Sequence, residues 1–308
     1  MDLELCHVKL PDPACRWRCQ VTKQWTAEFR LSITRALADQ LETTLRPLEP
    51  APLTLAYLSG VAGRPGVYTL YLNGQRVYVG KAATSLQERL TQHHRKLCGR
   101  TGIASDTVRF ICAYVDEDLD AAAPEKLLIK RYREHDSIPW NTNGFGNNDP
   151  GRNRDKSVVK AAHFDALYPI NLDYRILLGP GSQRIGAILD EATRQLPYRL
   201  RFDKSTGAQK IYQSTSLTSP GQPISIRNLA PQLIAALPEG WQLTALPGYL
   251  IMYQERQQYD SALGWWRREP DGQITYTLGP RQFAGGKVDP DFADEDAGES
   301  DPLVGLHE

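Results

Sequence analysis

The sequence lacks a long apolar run, a paired-cysteine motif and any net charge. No stretch of its 308 residues approaches the roughly 18 to 20 apolar side chains needed to cross a bilayer as a helix. The N-terminus, MDLELCHVKL, has neither the basic start nor the apolar core of a secretory signal, so a cytoplasmic location is expected. Five cysteines are an odd number, and with no sign of secretion they read as reduced thiols. Cys6, His7, Cys15 and Cys19 crowd the N-terminus, but their spacing matches no CxxC zinc pattern, and ordinary thiols are the better reading.

The missing net charge argues against a nucleic-acid enzyme only until the chain is divided. From Lys287 to Glu308 one lysine stands against eight acids, so that the tail carries −7 and the preceding 286 residues +7. A basic body suits phosphate binding. The acidic tail has too little apolar surface to fold and reads as disordered.

Four regions follow. Residues 1–60 read as a helical leader, with an amphipathic helix over about Glu28 to Arg46 that the run Pro47 to Pro50 breaks. Residues 61–170 read strand, turn, strand, helix, strand, helix: a small α/β unit on a three-stranded antiparallel sheet. Its strands are Val67 to Leu72, Arg76 to Val79 and Thr107 to Val115, and Asn73-Gly74 is a strong hairpin turn. Asn141 to Asp155 reads as a loop too polar for the core. Residues 171–286 read as a further α/β domain of unknown role. Its expected helices run from Arg184 to Leu196 and from Asn228 to Leu237, with strands YRLRF, WQLTAL and YLIMYQ and a final hairpin at Asp271-Gly272. Leu178 to Ser182 reads as a Pro/Gly break. Residues 287–308 are the tail.

The chemistry concentrates in the second region. Gly66-Val67-Tyr68 and Tyr78-Val79-Gly80 lie on the two arms of the hairpin, and a basic helix from Leu86 to Leu97 follows. Leu86, Leu90, His93 and Leu97 form one inward stripe of that helix, and Arg89 lies at its edge. Glu125, just after Pro124, opens a second helix where the dipole favours an acid. Phosphodiester hydrolysis needs a positioned water, a base, charge neutralisation on the phosphoryl group and help for the leaving 3′ oxygen. Tyr68 is the candidate base. A phenol titrates near 10, so it needs neighbouring positive charge, for which Lys81 and Arg89 are the candidates. Glu125 is the candidate Mg²⁺ ligand.

Hairpin register sets a geometric demand. A strict two-residue turn at Asn73-Gly74 pairs Leu72 with Gln75 and puts Tyr68 and Tyr78 on opposite faces. A bulged or three-residue turn puts both phenols on one face, as joint chemistry requires. The irregular turn is therefore expected.

In order and approximate spacing, Tyr68, Tyr78, Arg89, Glu125 and Asn141 resemble the GIY-YIG nuclease superfamily. The resemblance is closest to its type II restriction endonucleases of the SacII-specificity group, which cut CCGCGG. It rests on Arg89-x-x-x-His93, on Pro139-Trp140-Asn141 and on the loop through Arg152 and Arg154, and covers about residues 35 to 170. The resemblance implies a Mg²⁺-dependent endonuclease acting on double-stranded DNA as a homodimer or higher oligomer, beside a cognate methyltransferase that acts on the same site. It implies that Tyr68 activates water, His93 helps carry the proton, Arg89 stabilises the phosphoryl charge, Glu125 holds the metal, and Tyr78 and Asn141 position the site. Arg152, Arg154 and Lys156 are the candidate DNA contacts, to guanine or to phosphate. The string Trp265-Trp266-Arg267-Arg268 reads as buried aromatics with exposed arginines, or as a base-stacking surface. The competing functions are a nuclease of repair or mobile-element type acting on structured DNA, and a catalytically silent DNA-binding protein.

Overall fold

The computed structural model describes residues 33–115, 126, 128–130, 132, 138–146 and 151–285. Glu125, the N-terminal cysteines and the acidic tail lie outside these residues. The leader helix is described as α1, Ile33–Leu45. After it, β1 (Ala51–Pro52) and the short α2 (Leu55–Leu58) lead into β2 (Gly66–Leu72), β3 (Gln75–Ala82), α3 (Leu86–Cys98) and β4 (Val108–Tyr114). The sheet order is β1-β4-β2-β3 and every pair is antiparallel. The expected three-stranded sheet thus has a fourth strand, drawn from the leader. Two residues are too short to carry a periodic signal, and Leu53 N–H continues the pairing by donating to the Val108 carbonyl (2.8 Å).

Asn73 and Gly74 both have positive φ (51° and 78°), the signature of a two-residue type I′ turn. Leu72 pairs with Gln75 and Tyr71 with Arg76, as in the strict hairpin. The register then shifts: Leu70 pairs with Tyr78, Val77 is the extra residue, and Tyr68 faces Gly80. Both phenols therefore share one face, but the irregularity is a bulge in β3, three residues beyond the turn. The expectation of an irregular turn is corrected in its position, while the common face it was meant to secure is present.

The sheet is covered on both sides. Tyr68, Leu70, Val77 and Tyr78 pack with Leu86, Leu90 and Leu97 of α3 and with Trp140, Phe145 and Phe164. Val67, Val79 and Ile111 on the other face pack with Leu45, Leu128, Tyr132 and Ile138. Asn143 and Phe145 are buried, so the polar stretch read as a surface loop contributes to the core.

From Thr34 onward the described residues form one compact unit. Residues 171–285 contain the strands β5 (Leu200–Phe202), β6 (Trp241–Ala245), β7 (Leu250–Gln254), β8 (Gly264–Arg268) and β9 (Ile274–Leu278). They form a five-stranded sheet in the order β9-β8-β6-β7-β5 over the helices Ile185–Gln195, Thr206–Ser214 and Ile226–Ala236. The helix Thr206–Ser214 escaped the sequence reading, and the supposed break at Leu178 to Ser182 runs into a strand, Pro180–Arg184, paired with Ser216–Pro220. Trp265 and Trp266 are buried, and Arg268 donates to the carbonyls of Ala235 (2.7 Å) and Leu237 (3.1 Å), closing a helix C-terminus. The base-stacking reading of that string is set aside.

The seam between the two halves is polar and buried. Arg100, after α3, pairs with Asp165 (2.9 Å) and donates to the carbonyls of Tyr168 and Pro247 (3.2 Å each). Tyr249 Oη donates to Asp155 Oδ1 (2.8 Å), which Arg201 also engages.

Candidate active site

The hairpin supplies two phenols and α3 supplies what faces them. Ser85 caps α3 by accepting from the Glu88 N–H (3.2 Å). From that start Leu86, Leu90, His93 and Leu97 fall on one buried stripe, as the sequence predicts. The Tyr68 and Tyr78 ring centroids are 6.0 Å apart, and His93 lies 5.4 and 5.5 Å from them. Tyr68 Oη and His93 Nε2 make a hydrogen bond of 2.6 Å. Burial, and then the charges of Arg89 and Lys96, hold the His93 pKa well below its ordinary value. The imidazole is accordingly neutral, with one nitrogen able to accept a proton.

Arg89 sits one turn before His93. Burial works against its charge, yet the phenol oxygens of Tyr68 and Tyr78, within hydrogen-bonding reach, raise its pKa above the ordinary value. Its Nε is buried and has no hydrogen-bond partner among the described residues, which leaves a donor for an incoming oxyanion. A guanidinium held against two phenols favours their ionised form.

Asn141, in the short helix Pro139–Thr142, fixes the strand between Tyr78 and Gly80. Its Oδ1 accepts from the Val79 N–H and its Nδ2 donates to the Val79 carbonyl, both at 2.8 Å. Phe145 completes the wall. It stacks on His93 at 4.8 Å and meets Tyr78 edge-on at 5.1 Å. Lys96 Nζ, below it, donates to the Phe145 carbonyl and lies 4.8 and 5.1 Å from the rings of Phe145 and Phe164. Burial pulls the Lys96 pKa down to about 7, with Arg100, Arg154 and Arg89 acting in the same sense against Asp165. Sequence reasoning missed Phe145 and Lys96. The aromatic spacing Trp140 to Phe145, in an otherwise polar stretch, was the available signal.

Two glycines admit the phenols. A Cβ on Gly80 would stand 2.3 Å from Tyr68 Oη, and one on Gly146 would stand 2.4 Å from Tyr78 Oη. Tyr68 is fully buried and Tyr78 is 6% exposed, so a DNA phosphate reaches them only after neighbouring side chains part.

Two expected site residues fall elsewhere. Lys81 pairs with Val67, on the face opposite the phenols, because side chains alternate along β3 beyond the bulge. The positive charge beside Tyr68 therefore comes from Arg89. Arg154 is turned inward: its side chain is 19% exposed and Nη2 lies 3.2 Å from Asp165 Oδ2, so it is spent on the seam. Glu125 lies outside the described residues. Arg152 and Lys156, in a 3₁₀ turn, are exposed as a DNA contact requires.

Two phenols, a neutral imidazole and a guanidinium with a spare donor suit proton transfer beside a phosphate. Residues 64–138 match the family model described as the GIY-YIG catalytic domain. The chain carries a GIY-YIG nuclease domain. It spans β2 to β4 and α3 and ends just before Pro139, so Asn141 and Phe145 lie beyond the matched residues. Over 79 residues the chain is 39% identical to UvrABC system protein C of Pseudomonas fluorescens (strain Pf0-1), a stretch that is 25% of this chain. The same stretch is only 12% of that relative's length.

Among the described residues no group of three or more His, Cys, Asp or Glu side chains is placed to hold a metal ion. The described residues around the phenols include no carboxylate. No helix among them is long and apolar enough to cross a membrane.

Proposed function

We infer that the protein is a sequence-specific endonuclease of type II restriction kind, cutting both strands of DNA in a restriction-modification or phage-defence system. The observation that carries the nuclease reading is the 2.6 Å contact of Tyr68 Oη with His93 Nε2 beside Arg89, inside a GIY-YIG domain. The restriction reading is supported by Arg89-x-x-x-His93 and Pro139-Trp140-Asn141, sequence features that resemble the SacII-specificity group.

In this mechanism Tyr68 takes a proton from the attacking water, with His93 Nε2 as the group to which the phenol passes its own proton. The water oxygen bonds to phosphorus as the bond to the 3′ oxygen breaks, and the leaving oxygen takes a proton from solvent water, giving a 5′ phosphate and a 3′ hydroxyl. Arg89 donates to the phosphoryl oxygens, where charge accumulates. Mg²⁺ held by Glu125 would supply charge neutralisation at the phosphoryl group and the leaving oxygen. Two active sites acting on two strands call for a homodimer or higher oligomer.

The likeness to UvrABC system protein C favours a second reading, in which the same site nicks structured DNA. Incubation with unmethylated phage DNA and Mg²⁺, followed by sequencing of the ends, separates the two. Discrete palindromic ends are expected; nicks confined to branched or damaged substrates would replace the first reading with the second. Glu125→Ala is expected to abolish cutting, and normal cleavage by that variant would remove the metal assignment.

A further inference from the structure

We propose that a cleft between the 3₁₀ turn Arg152–Lys156 and the segment Glu255 to Tyr259 seats the DNA phosphate backbone flanking the cut. Its added cation, Arg256, comes from the C-terminal half. This rests on the nuclease reading above, and it gives residues 171–286 a part in substrate binding.

The cleft has a volume of about 480 Å³ and polar walls. Its two carboxylates are already engaged. Glu255 Oε1 accepts from Tyr259 Oη (2.7 Å), and Glu255 Oε2 lies 3.8 Å from Arg152 Nη2. Asp155 Oδ1 is held by Tyr249 and Arg201. Carboxylates committed in this way are poorly placed to hold a cation, and they leave the rim to Arg152, Lys156 and Arg256. Lys156 and Arg256 are exposed at the rim. Arg152 lies 4.3 Å from the centre of the Tyr253 ring, which orients its planar group while leaving the side chain 69% exposed.

An open cleft with cations at its rim and few apolar atoms suits an ionic backbone better than a buried base or an uncharged small molecule. The cleft is also within reach of the same DNA. Arg152 is six Cα–Cα steps along the chain from Gly146, which abuts Tyr78 Oη, so their Cα atoms are at most about 20 Å apart. At about 3.4 Å per base pair, the cleft meets the backbone within about six base pairs of the scissile bond.

The test is DNA binding by Arg256→Ala, made in the Tyr68→Phe background so that the substrate persists. Fluorescence anisotropy of a fluorescein-labelled duplex is followed across a salt series. Loss of one phosphate contact should make the slope of log K against log salt shallower by about 0.9, equally on unrelated sequences. Arg256→Lys should retain the slope. If the unaltered protein cuts DNA while Arg256→Ala keeps both the Kd and the slope of its parent, the cleft assignment is overturned and the nuclease reading stands. If the unaltered protein neither binds nor cuts DNA, the nuclease reading falls and takes the cleft with it.

Discussion

Tyr68 Oη stands 2.6 Å from His93 Nε2, with both rings sealed from solvent between the hairpin and α3. In the proposed mechanism the pair links the phenol that takes the proton from water to a neutral imidazole that can relieve it. Tyr68→Phe is therefore expected to lower the cutting rate by about 10² to 10⁴-fold while leaving the Kd for DNA unchanged. The imidazole stays neutral well below its ordinary range. The pH–rate profile should accordingly show no inflection from His93 near the usual histidine value of about 6.5. Such an inflection, lost in His93→Ala, would mean that the ring titrates freely.

Gly146→Ala tests how tightly Tyr78 is seated. The new methyl carbon would stand 2.4 Å from the Tyr78 oxygen, and the ring must move to avoid it. A displacement of about 1 Å in a catalytic group can cost on the order of 100-fold in rate. Single-turnover cutting should fall accordingly with little change in binding. Adding Tyr78→Phe relieves the closest contact, so recovery in the double variant would show that the reaction needs the ring's position and not its hydroxyl.

Asp165 is the shared counter-ion of Arg100 and Arg154 at the seam, and Lys96 also feels its charge. Burial opposes its charge, but Arg100 and then Lys96, His163 and Arg154 keep its pKa below the ordinary carboxylate value. Asp165→Ala leaves buried guanidinium groups without their partner, a change that typically costs about 3–5 kcal/mol. Urea unfolding should show that loss as a lower midpoint. Because the seam ties both halves together, fluorescence and far-ultraviolet dichroism should report the same shift.

Lys96 makes stability depend on pH in the alkaline direction. Its pKa is about 7 in the folded chain against an ordinary 10.5, so between those values only the unfolded chain binds the extra proton. Stability should therefore rise as pH is raised from 7 towards 10.5, by at most about 1.4 kcal/mol per unit, and this contribution is absent below 7. Urea midpoints at successive pH values check the slope, which Lys96→Met should flatten. Equal slopes in the two proteins would show that the amine stays charged when buried.

Much of the site could be read from the sequence because its signals are local. Tyr68, Tyr78, Arg89 and His93 lie within 26 consecutive residues whose strand and helix periods fix their faces. The hairpin demanded an irregularity, but the sequence held no sign of where it would fall; Val77 bulges because burying it beside Tyr78 fills the core under α3. What stayed hidden is non-local. Arg154 was read as a DNA contact because its partner Asp165 is eleven residues away across irregular chain, with no periodicity to announce the pair. Phe145 was lost in a polar stretch for the same reason. Lys81 was misplaced because the bulge that brings Tyr78 to the catalytic face leaves Lys81, an odd number of residues later, on the other one.

The Asn141 amide has a consequence for the outer border of the sheet. β3 is an edge strand, and the N–H and carbonyl that Val79 turns outward would otherwise await a partner chain. Asn141 fills that vacancy as a one-residue imitation of a neighbouring strand. Its loss would uncover two adjacent backbone groups to which an extended peptide, or the edge of another copy, can add. The same side chain that steadies the second tyrosine thereby guards the domain against unwanted strand addition.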